Sequence, residues 1–598
     1  MPIVSYSVKE LNKLLKEEYP MDVIIESVKE LGCDVEDAVD ITLYRCPACD
    51  ALNDKLAHEE PANRCVFCGH EQEEGFETFA TDAVVRIDLL ADRPDLFDVV
   101  GLSRALNGYL ELERGMPVFA CGQGDIEVNV DPSVLEVRPY IVCAVAEVPP
   151  LDYTMLRELM KLQENLHWGV GRDRKLASIG IYNLDTLTPP IIYKSIEPKD
   201  FKFHPLAMPD VEMTPAEILK DHPKGVAYAH LLEDFKRYPL LIDSNGLTLS
   251  MPPIINSEET KCRTGTSRLF IDVTGTAEQA PTDALNILVC AVNQLGGKLQ
   301  TVKINYPDHS LTTPDLTPRQ IDVSFAGARR WLGVEFSRDE FVKSIKKMRL
   351  NVQPKDKGKD KDKYLVEYPV YRSDIRHEVD IFEDVVIGYG LERVPMKLVP
   401  TMTVGQERPE EKIANDVRTI MTGLGFIEIM SLNLHSEESL FTKLRMEPGE
   451  SYVCVANPKT VNQKALRSHL MTGIMETLEK NRKKVVPQRV FEIGPVTLLN
   501  PQTETGVNEY RHLAFGIIGP EAGYADVRAV LDSILRELGL NGRYRPAELP
   551  TFIEGRCAEV TIENDLWAQL GEIHPQVLNN FNLAYPTAFC ELRLAKVY

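Results

Sequence analysis

The alternation of apolar and polar positions predicts several domains that mix helices with strands. In "AVVRIDLLADRPDLFDVVGLSRAL" the pattern passes from an apolar strand, through a break at residues 92–94, into a helix whose first turn holds Asp98. Residues 111–310 alternate short β-branched strands with helices, and proline-rich joints such as "VPPLDY" and "SMPPIIN" separate them. We therefore predict an N-terminal α/β unit over residues 1–110 and a large α+β domain over residues 111–310.

The second half of the chain predicts two further units. The helical pattern of "TPRQIDVSFAGARRWLGVEFSRDEFVKSIKKM" suggests two or three short helices at the start of a unit over residues 311–398. The charged run "KDKGKDKDK" at residues 355–363 is typical of a solvated hairpin loop. After "ERVPMKLVP", which predicts an extended linker, helices such as "EEKIANDVRTIMTGLG" and strands such as "RVFEIGPVTLL" fill residues 405–598. The predicted fold class is multidomain α+β.

Length and composition place the chain among soluble, multidomain proteins. Its 598 residues exceed what one hydrophobic core spans, so about three to five domains are expected. No apolar run approaches the roughly 18 residues that cross a bilayer, and we expect no membrane contact. The charged N-terminus lacks the apolar run of a signal peptide, which predicts a cytoplasmic protein. The net charge of -23 restricts any RNA contact to local surfaces.

Four of the twelve cysteines are spaced as metal ligands. Cys46 and Cys49 form one C-x2-C pair, and Cys65 and Cys68 form a second pair after fifteen intervening residues. Two such pairs offer four thiolates to one ion, the set that structural Zn²⁺ prefers, and an iron–sulfur cluster is the alternative. Four thiolates leave no position for a catalytic water, which argues against a zinc-dependent hydrolase. We predict a zinc insertion at about residues 44–70 and reduced thiols elsewhere.

A cluster of carboxylates marks the helix predicted at residues 377–390. Asp380, Glu383 and Asp384 are spaced i, i+3 and i+4, so they share one helix face. Asp374 reaches the same point if it lies just before the helix, which would offer Mg²⁺ up to four oxygen ligands. On spacing alone an equal alternative is that Asp374 caps the helix and the others form a solvated face near its N-terminus.

Several segments resemble one known family. The pattern R-x-D, five residues, D-x-x-E-D and then "IGYGLERVP" is similar to the B5 segment of phenylalanyl-tRNA synthetase β subunits. The segments "RIDLLADRPDLFDVVGLSRAL", "KLQENLHWGVGRDRKLASIGIYNLD", "HPKGVAYAHLL", "LSMPPIINSEET" and "FIDVTGT" look like the archaeal and eukaryotic type of this subunit, in the same order. The zinc insertion is a departure, because it is not a general feature of that family.

The resemblance implies a subunit of an ATP-dependent ligase that attaches phenylalanine to tRNA-Phe. It implies an (αβ)2 heterotetramer in which the α subunit binds ATP and holds the synthetic site. Asp374, Asp380, Glu383 and Asp384 would then bind Mg²⁺ at a site shared with the α subunit. It also implies a B3/B4-like editing domain, a B5-like domain of winged-helix type and a C-terminal antiparallel-sheet module similar to B6/B7. A stand-alone RNA-binding or editing protein with the same fold is the alternative.

The C-terminal module lacks the groups that a working class II synthetase needs. Amino-acid activation develops charge on the α-phosphate, which such enzymes meet with Arg-x-Glu after a strand like "RVFEIG". Here that strand runs into "PVTLLN", and the tail has no glycine-rich helix start with an arginine. The resemblance therefore implies a degenerate, structural module, and no aminoacylation residue is assigned to this chain.

The domain at residues 111–310 is the expected site of proofreading. An apolar pocket rejects an added hydroxyl by only about a hundredfold, so a ligase for phenylalanine benefits from a hydrolytic site against tyrosine. By resemblance, its candidate residues are Ser250, Asn256, Glu258, Asp272 and Thr274. Glu258 or Asp272 would accept a hydrogen bond from the tyrosine hydroxyl, while the other polar groups orient water and the ester. On local sequence alone, Asn256 and Thr274 are better explained as turn residues beside Pro and Gly.

Overall fold

The computed structural model describes residues 3–88, 92–355, 362–399, 401–449, 452–562 and 565–594. The chain divides into two units, Met1–Lys397 and Leu398–Tyr598, and both contain helices and sheets. The multidomain α+β class is therefore confirmed. Within the described residues, none of the helices has the length and apolar character needed to span a membrane.

The first unit begins with a four-stranded antiparallel sheet of order β1-β4-β2-β3. Its strands are β1 (Ile3–Ser7), β2 (Asp34–Arg45), β3 (Leu52–Leu56) and β4 (Glu77–Asp88). Its helices are α1 (Val8–Leu14), α2 (Met21–Glu30) and α3 (Val99–Tyr109). The predicted strand and helix are confirmed as β4 and α3. Asp98 precedes the first turn of α3 and caps it, because its carboxylate accepts a hydrogen bond of 2.9 Å from the Gly101 N–H.

A mixed sheet of eleven strands follows. Its strands are β5 (Cys121–Gly122), β6 (Glu127–Val130), β7 (Tyr140–Glu147), β8 (Ala177–Asn183), β9 (Ile191–Ile196), β10 (Tyr238–Ile242), β11 (Thr248–Met251), β12 (Ile255–Asn256), β13 (Arg268–Gly275), β14 (Lys298–Asn305) and β15 (Ser310–Thr313). The helices of this region are α4 (Tyr153–Trp168), α5 (Pro215–Asp221), α6 (Pro223–Tyr228) and α7 (Gln279–Gln294). The main path is β12-β11-β10-β9-β6-β14-β7-β13-β8, and β5 and β15 also pair with β14. Strand β13 pairs with β7 on one side and β8 on the other, which fixes the positions of its buried side chains.

Three strands and three helices complete the first unit. They are β16 (Arg319–Ser324), α8 (Phe325–Leu332), α9 (Arg338–Lys347), β17 (Asn351–Pro354), β18 (Lys363–Tyr368) and α10 (Glu378–Tyr389). Helices α8 and α9 confirm the short helices predicted here, but the segment before them is a strand. Its partner β18 lies far along the chain, and local helical periodicity does not report such a pairing. The loop predicted at residues 355–363 falls mostly outside the described residues, and the strands that flank it pair antiparallel.

The second unit is built on a seven-stranded sheet of order β19-β22-β23-β27-β26-β25-β24. The strands of this unit are β19 (Ile427–Glu428), β20 (Leu434–His435), β21 (Ala465–Leu466), β22 (Gln488–Leu499), β23 (Val507–Ile518), β24 (Arg543–Pro546), β25 (Phe552–Ile562), β26 (Asp565–Ile573) and β27 (Thr587–Arg593). Its helices are α11 (Pro409–Gly423), α12 (Glu437–Leu440), α13 (Met471–Lys480), α14 (Tyr524–Glu537) and α15 (Pro575–Asn580). The sheet is antiparallel, apart from the short parallel pairing of β19 with β22.

Candidate metal centre and candidate active site

The four cysteines lie in two turns that meet at one point. Cys46 and Cys49 form the first knuckle, between β2 and β3, and Cys65 and Cys68 form the second knuckle, between β3 and β4. Their Sγ atoms lie within 4.8 Å of one another, with 3.8 Å from Cys46 to Cys68 and 3.6 Å from Cys49 to Cys65. Sulfurs arranged tetrahedrally at about 2.3 Å from zinc are about 3.8 Å apart. Residues 46–68, the cysteine module, therefore fit one Zn²⁺.

Both knuckles have the same backbone hydrogen bond. The N–H of Asp50 donates to the Cys46 carbonyl at 3.0 Å, and the N–H of Gly69 donates to the Cys65 carbonyl at 2.9 Å. Both donor residues have positive φ, 60° for Asp50 and 83° for Gly69. Glycine adopts this conformation freely and aspartate tolerates it. The backbone thus turns the two thiols of each knuckle toward the same point.

Asn53 supports the second knuckle from within β3. Its buried side-chain amide nitrogen lies 3.6 Å from Cys65 Sγ, and its amide oxygen accepts a hydrogen bond of 3.0 Å from the Val66 N–H. Outer groups of this kind orient metal ligands and raise metal affinity. The donor set and its support both match a closed structural metal site.

A cavity lies beside the cysteine module. Three of the five candidate proofreading residues line it, namely Ser250 at the end of β11, Asn256 on β12 and Asp272 on β13. Phe67 and Cys68 of the second knuckle line the same cavity. Polar groups converge on it, as they do at ligand-binding sites. This cavity is the candidate active site.

A phenol–carboxyl pair forms part of the cavity wall. The Tyr182 hydroxyl donates a hydrogen bond of 2.5 Å to Asp272 Oδ1 and lies 2.8 Å from Ser250 Oγ. Burial raises the pKa of Asp272 to about 7, although the Tyr182 hydrogen bond and the charge of Arg138 oppose the rise. Gly180 faces the pair, and a Cβ there would overlap both the hydroxyl and the carboxylate. Asp272 therefore changes its charge near neutral pH.

The other two candidates do not line this cavity. Thr274 is fully buried, and its hydroxyl accepts a hydrogen bond of 2.9 Å from Arg138 Nε. The Glu258 carboxylate pairs with Lys261 and accepts a hydrogen bond of 3.0 Å from the Ala207 N–H. Both side chains are engaged by the protein itself, in positions next to the wall.

Charged residues that sequence reasoning did not select form another part of the wall. Glu164 accepts a hydrogen bond of 2.7 Å from Arg174, and Arg174 also donates to the Ile254 carbonyl at 2.9 Å. Lys224 Nζ lies 3.9 Å from the second oxygen of Glu164. Burial favours a raised pKa for Glu164, but the charge of Arg174, the His167 hydrogen bond and the charge of Lys224 together hold that pKa well below its usual range. The wall thus carries a fixed ion network.

His167 lines the cavity in its neutral form. Burial lowers the pKa of this imidazole to about 4, and the charge of Arg174 adds to the effect. Its Nε2 accepts a hydrogen bond of 2.8 Å from the Ile179 N–H, which places the ring proton on Nδ1, 3.4 Å from Glu164 Oε1. An Nε2 that is occupied by the backbone does not take a proton from water, so His167 supports the wall.

Backbone strain marks the segment that carries Arg174. Arg172, Asp173 and Arg174 have φ values of 47°, 53° and 66°. Residues other than glycine cost of order 1–3 kcal/mol each in sparsely populated conformations, and such residues cluster at functional sites. The sequence signal for this strained segment was the stretch "GVGRDRK", in which two glycines precede a charged run. We used this segment only for its family resemblance.

A second, more apolar cavity adjoins the first. It shares Phe67 and Asn256 with the first cavity, and its apolar lining includes Leu159, Met160 and Cys262. Apolar side chains of this kind pack against aromatic rings, and the polar groups of the first cavity can hydrogen-bond an ester or a hydroxyl. Together the two cavities suit a ligand that carries an aromatic ring and a polar group.

The four predicted magnesium ligands line one cavity elsewhere in the first unit. Arg372 donates to Asp374 at 2.7 Å and to Asp384 at 2.9 Å. Asp380 accepts hydrogen bonds of 2.7 Å from the N–H groups of Arg376 and His377, next to the start of α10.

The four carboxylates of this cavity do not converge on one point. Among the described residues, the cysteines are the group whose metal-binding atoms come within 4.8 Å of one another. The guanidinium of Arg372 lies between Asp374 and Asp384, where a cation would be repelled. Asp374 does not cap α10, because His377 occupies that position, and Glu383 is exposed. Asp380 and Glu383, one turn apart, remain suited to a hydrated Mg²⁺, which commonly takes one or two carboxylates.

Known proteins are similar to this chain over its whole length. Residues 321–391 match the family model "tRNA synthetase B5 domain", and residues 394–594 match "Phenylalanyl tRNA synthetase beta chain CLM domain". The phenylalanine–tRNA ligase beta subunit of Methanosphaera stadtmanae is 35% identical over 605 residues, covering 100% of both chains. The chain belongs to the phenylalanine–tRNA ligase beta subunit family. The beta subunit of Pyrococcus furiosus is 38% identical over 508 residues, which is 85% of this chain and 90% of the relative.

A solved structure supports the family assignment. An N-terminal fragment of the phenylalanyl-tRNA synthetase beta subunit from Pyrococcus horikoshii superimposes with a TM-score of 0.55 and 33% identity. The match covers 65% of this chain and 99% of the fragment. This member of the beta subunit family therefore shares the fold of a known family member over most of its first unit.

The second unit of this beta subunit family member holds a buried ion pair at strand β22. Glu492 on β22 is 1% exposed and accepts a hydrogen bond of 2.6 Å from Arg467 and another of 2.6 Å from the Ser431 hydroxyl. The strand predicted at residues 489–494 continues to Leu499 because "PVTLL" pairs with β23. The charges of this region stabilise one another.

Proposed function

We propose that this chain is the β subunit of a phenylalanine–tRNA ligase (EC 6.1.1.20) that acts in an (αβ)2 complex. The complex uses ATP to form an adenylate of phenylalanine and transfers the amino acid to tRNA-Phe. The α subunit holds the synthetic site and binds ATP, and the complex works in the cytoplasm. The observation that carries the proposal is the match to a named beta subunit over 100% of both chains.

An exposed apolar surface on the second unit supports a protein partner. Ile427, Met430 and Leu432 follow one another beside the edge strand β19 and are 68%, 95% and 63% exposed. Leu398 and Met402 are 96% and 97% exposed in the segment before α11. Exposed large apolar side chains that are close together in sequence are typical of surfaces that a partner covers. We assign this surface to the α subunit.

Assembly is tested by co-expression with a candidate α subunit and light scattering of the purified complex. The proposal predicts one particle with two copies of each chain. Ile427→Glu and Met430→Glu, which place charge in the apolar surface, should prevent assembly, whereas Val118→Glu at an exposed position of the first unit should leave it intact. Assembly that tolerates both edge substitutions would contradict the assigned surface.

Proofreading of tyrosyl-tRNA-Phe is the second activity that we propose, at the cavity beside the cysteine module. The aromatic ring packs against Phe67, and its hydroxyl points toward Asp272, while Ser250 and Asn256 orient water and the ester. Water adds to the ester carbonyl and the bond to the ribose oxygen breaks, which releases tyrosine and restores the ribose hydroxyl. Asp272 is favoured over Glu258 as the phenol acceptor, because Lys261 already engages Glu258.

Hydrolysis by the α-containing complex tests this activity. The wild type should hydrolyse tyrosyl-tRNA-Phe and spare phenylalanyl-tRNA-Phe, because an unpaired polar group in the pocket disfavours a ring without a hydroxyl. Asp272→Asn should reduce that preference by about tenfold or more. Asp210→Asn, at an exposed position, is the matched control. Equal rates for both aminoacyl-tRNAs in the wild type would refute the proposal.

Two metals belong to the proposed function. A structural Zn²⁺ is bound by Cys46, Cys49, Cys65 and Cys68, whose sulfur spacing supports it. Mg²⁺ is proposed at the cavity lined by Asp374, Asp380, Glu383 and Asp384, with Asp380 and Glu383 as the carboxylates that Arg372 does not hold. The α subunit would supply the remaining ligands.

The chain is proposed to divide its work among four domains. Residues 1–110 carry the zinc insertion, and residues 111–310 carry the editing site. Residues 311–398 are the B5-like domain with the magnesium site, and residues 405–598 are an inactive catalytic-like module that contacts the α subunit and tRNA-Phe. The family-model matches at residues 321–391 and 394–594 support the last two.

A further inference from the structure

Each knuckle of the cysteine module is held by one lysine of the mixed-sheet domain. Lys261 Nζ donates a hydrogen bond of 2.8 Å to the carbonyl of Ala48, inside the first knuckle. Lys224 Nζ donates a hydrogen bond of 2.8 Å to the carbonyl of Val66, inside the second knuckle. The side chains of these lysines are only 11% and 14% exposed. The Lys261 contact is partly buried, whereas the Lys224 contact lies at the surface. Charge-assisted hydrogen bonds of this kind are stronger than neutral ones.

Lys224 lines the candidate active site, and Lys261 lines the adjoining apolar cavity. Lys224 lies 3.9 Å from Glu164, which binds Arg174 at 2.7 Å, and both acid and arginine line the cavity. Lys261 pairs with Glu258, whose carboxylate also accepts the Ala207 N–H. Both knuckles are therefore joined to the pocket through ionic contacts.

The second knuckle itself closes part of the pocket. Phe67 and Cys68 line both cavities, and Cys49 of the first knuckle lines the apolar one. The apolar side chains of the module form a small cluster that packs against Met160 and Leu206 of the mixed-sheet domain. Phe67, which packs against the cysteine cluster, thus also faces the space for a ligand.

A module of this size does not hold its shape by apolar packing alone. Below about 40 residues a domain usually needs a metal or disulfides, because its core is too small to offset chain entropy. No disulfide joins the described cysteines of the module. An ion at the four sulfurs would therefore be the constraint that holds Phe67 in place.

We propose that the metal-loaded cysteine module is a wall of the hydrolytic pocket and that Phe67 contacts the aromatic ring of the mischarged amino acid. Lys224 and Lys261 are positioning residues that hold the two knuckles against that pocket. No step of hydrolysis takes place at the metal, whose ligand shell is closed. The inference rests on the proofreading activity proposed above, and it makes that activity dependent on a thiolate-bound metal, while phenylalanine charging is independent of it.

Metal removal from the complete α-containing complex is the first test. The complex is treated with a chelator under reducing conditions, its zinc content is measured, and zinc is then added back. Hydrolysis of tyrosyl-tRNA-Phe should fall by about tenfold or more and recover with zinc, whereas phenylalanine charging should stay within about twofold. Unchanged hydrolysis at zero zinc content would overturn the proposal.

Single substitutions distinguish the loss of a pocket contact from a loss of folding or of zinc. Phe67→Ala should keep one zinc per chain and lower kcat/KM for tyrosyl-tRNA-Phe by about tenfold, mainly through KM. Phe235→Ala, an equal truncation at a position 40% exposed, is its control. Lys261→Met should weaken hydrolysis with zinc retained, Lys261→Arg should restore much of it, and exposed Lys236→Met should have no effect. If Phe67→Ala and Phe235→Ala have the same kcat/KM for tyrosyl-tRNA-Phe, the proposed contact between Phe67 and the substrate is overturned.

Hydrogen exchange keeps the inference separate from the proofreading proposal. Amide exchange at residues 178–182 and 254–256, which line the two cavities, is compared in metal-loaded and metal-free complex. Faster exchange at both segments after metal loss supports the proposal that the metal-loaded module forms a wall of the pocket. Unchanged exchange contradicts it, whichever aminoacyl-tRNA the enzyme hydrolyses. A metal-loaded wild type that does not hydrolyse tyrosyl-tRNA-Phe would instead refute proofreading itself.

Discussion

The hydroxyl of Tyr182 donates a hydrogen bond of 2.5 Å to Asp272, within the wall of the candidate active site. The protein's own phenol thus satisfies one oxygen of the carboxyl that we assign to the phenol of the substrate. A substrate hydroxyl must bind the other oxygen, so Tyr182 fixes the direction in which Asp272 accepts it. The pair therefore links pocket stability with specificity.

Tyr182→Phe should lower stability and weaken discrimination together. Loss of the hydroxyl leaves Asp272 and Ser250 without a buried partner, which costs about 1–3 kcal/mol. Urea unfolding of the chain and hydrolysis of tyrosyl-tRNA-Phe measure the two effects. Tyr585→Phe, at a position 40% exposed, is the control. A variant with wild-type stability would show that the hydrogen bond is not needed to hold Asp272.

The raised pKa of Asp272 predicts a pH dependence of stability. Burial raises this pKa from 3.8 to about 7, so the folded chain holds the proton more tightly than the unfolded chain. The contribution to the free energy of unfolding is fully present below pH 3.8 and is lost as pH rises through about 7. Asp272→Asn should remove this decline. Unfolding midpoints between pH 4 and 8 measure it, and parallel curves for both proteins would contradict the assignment.

Asn53→Ala should weaken metal binding without removing a ligand. The Asn53 amide lies 3.6 Å from Cys65 Sγ, and outer groups of this kind affect metal affinity by about 10- to 100-fold. Competition with a chromophoric chelator measures the affinity, and Asn63→Ala, at an exposed position of the same module, is the control. Equal zinc affinity for the two variants would argue against support of the thiolate by Asn53.

Arg372→Met should destabilise the B5-like region strongly. Arg372 is 3% exposed and holds Asp374 and Asp384, so its loss leaves two carboxylates in a protein interior. Removing one partner of a buried ion pair costs about 3–5 kcal/mol. Urea unfolding checks the loss, with exposed Arg376→Met as the control from the same segment. A loss no greater than that of the control would show that the carboxylates find other partners or become neutral.

The sequence predicts well those features that depend on neighbouring residues or on a characteristic spacing of residues. The spacing of Cys46, Cys49, Cys65 and Cys68 indicates a single metal centre, because each knuckle is a local turn. The turn and helix near Asp98 follow from local pattern too. Strand β16 does not, because its apolar spacing also fits a helix and its partner β18 lies beyond two helices.

The candidate site was predictable only in part, because its walls come from distant segments. Family resemblance pointed to Ser250, Asn256 and Asp272, which the fold brings to one cavity. It did not show that Lys261 engages Glu258, although the three-residue spacing of these opposite charges was a usable signal. Nor does any local pattern reveal that Phe67, over a hundred residues earlier in the chain, faces the same space.

Charging of tRNA-Phe with phenylalanine tests the central claim most directly. The assay supplies ATP, Mg²⁺ and phenylalanine to this chain alone, to a candidate α subunit alone and to their mixture. A β subunit with an inactive second unit predicts phenylalanyl-tRNA-Phe in the mixture and none from this chain alone. Charging by this chain alone would contradict the assignment of the synthetic site to the α subunit, and a mixture that neither charges nor assembles would contradict the β-subunit function itself.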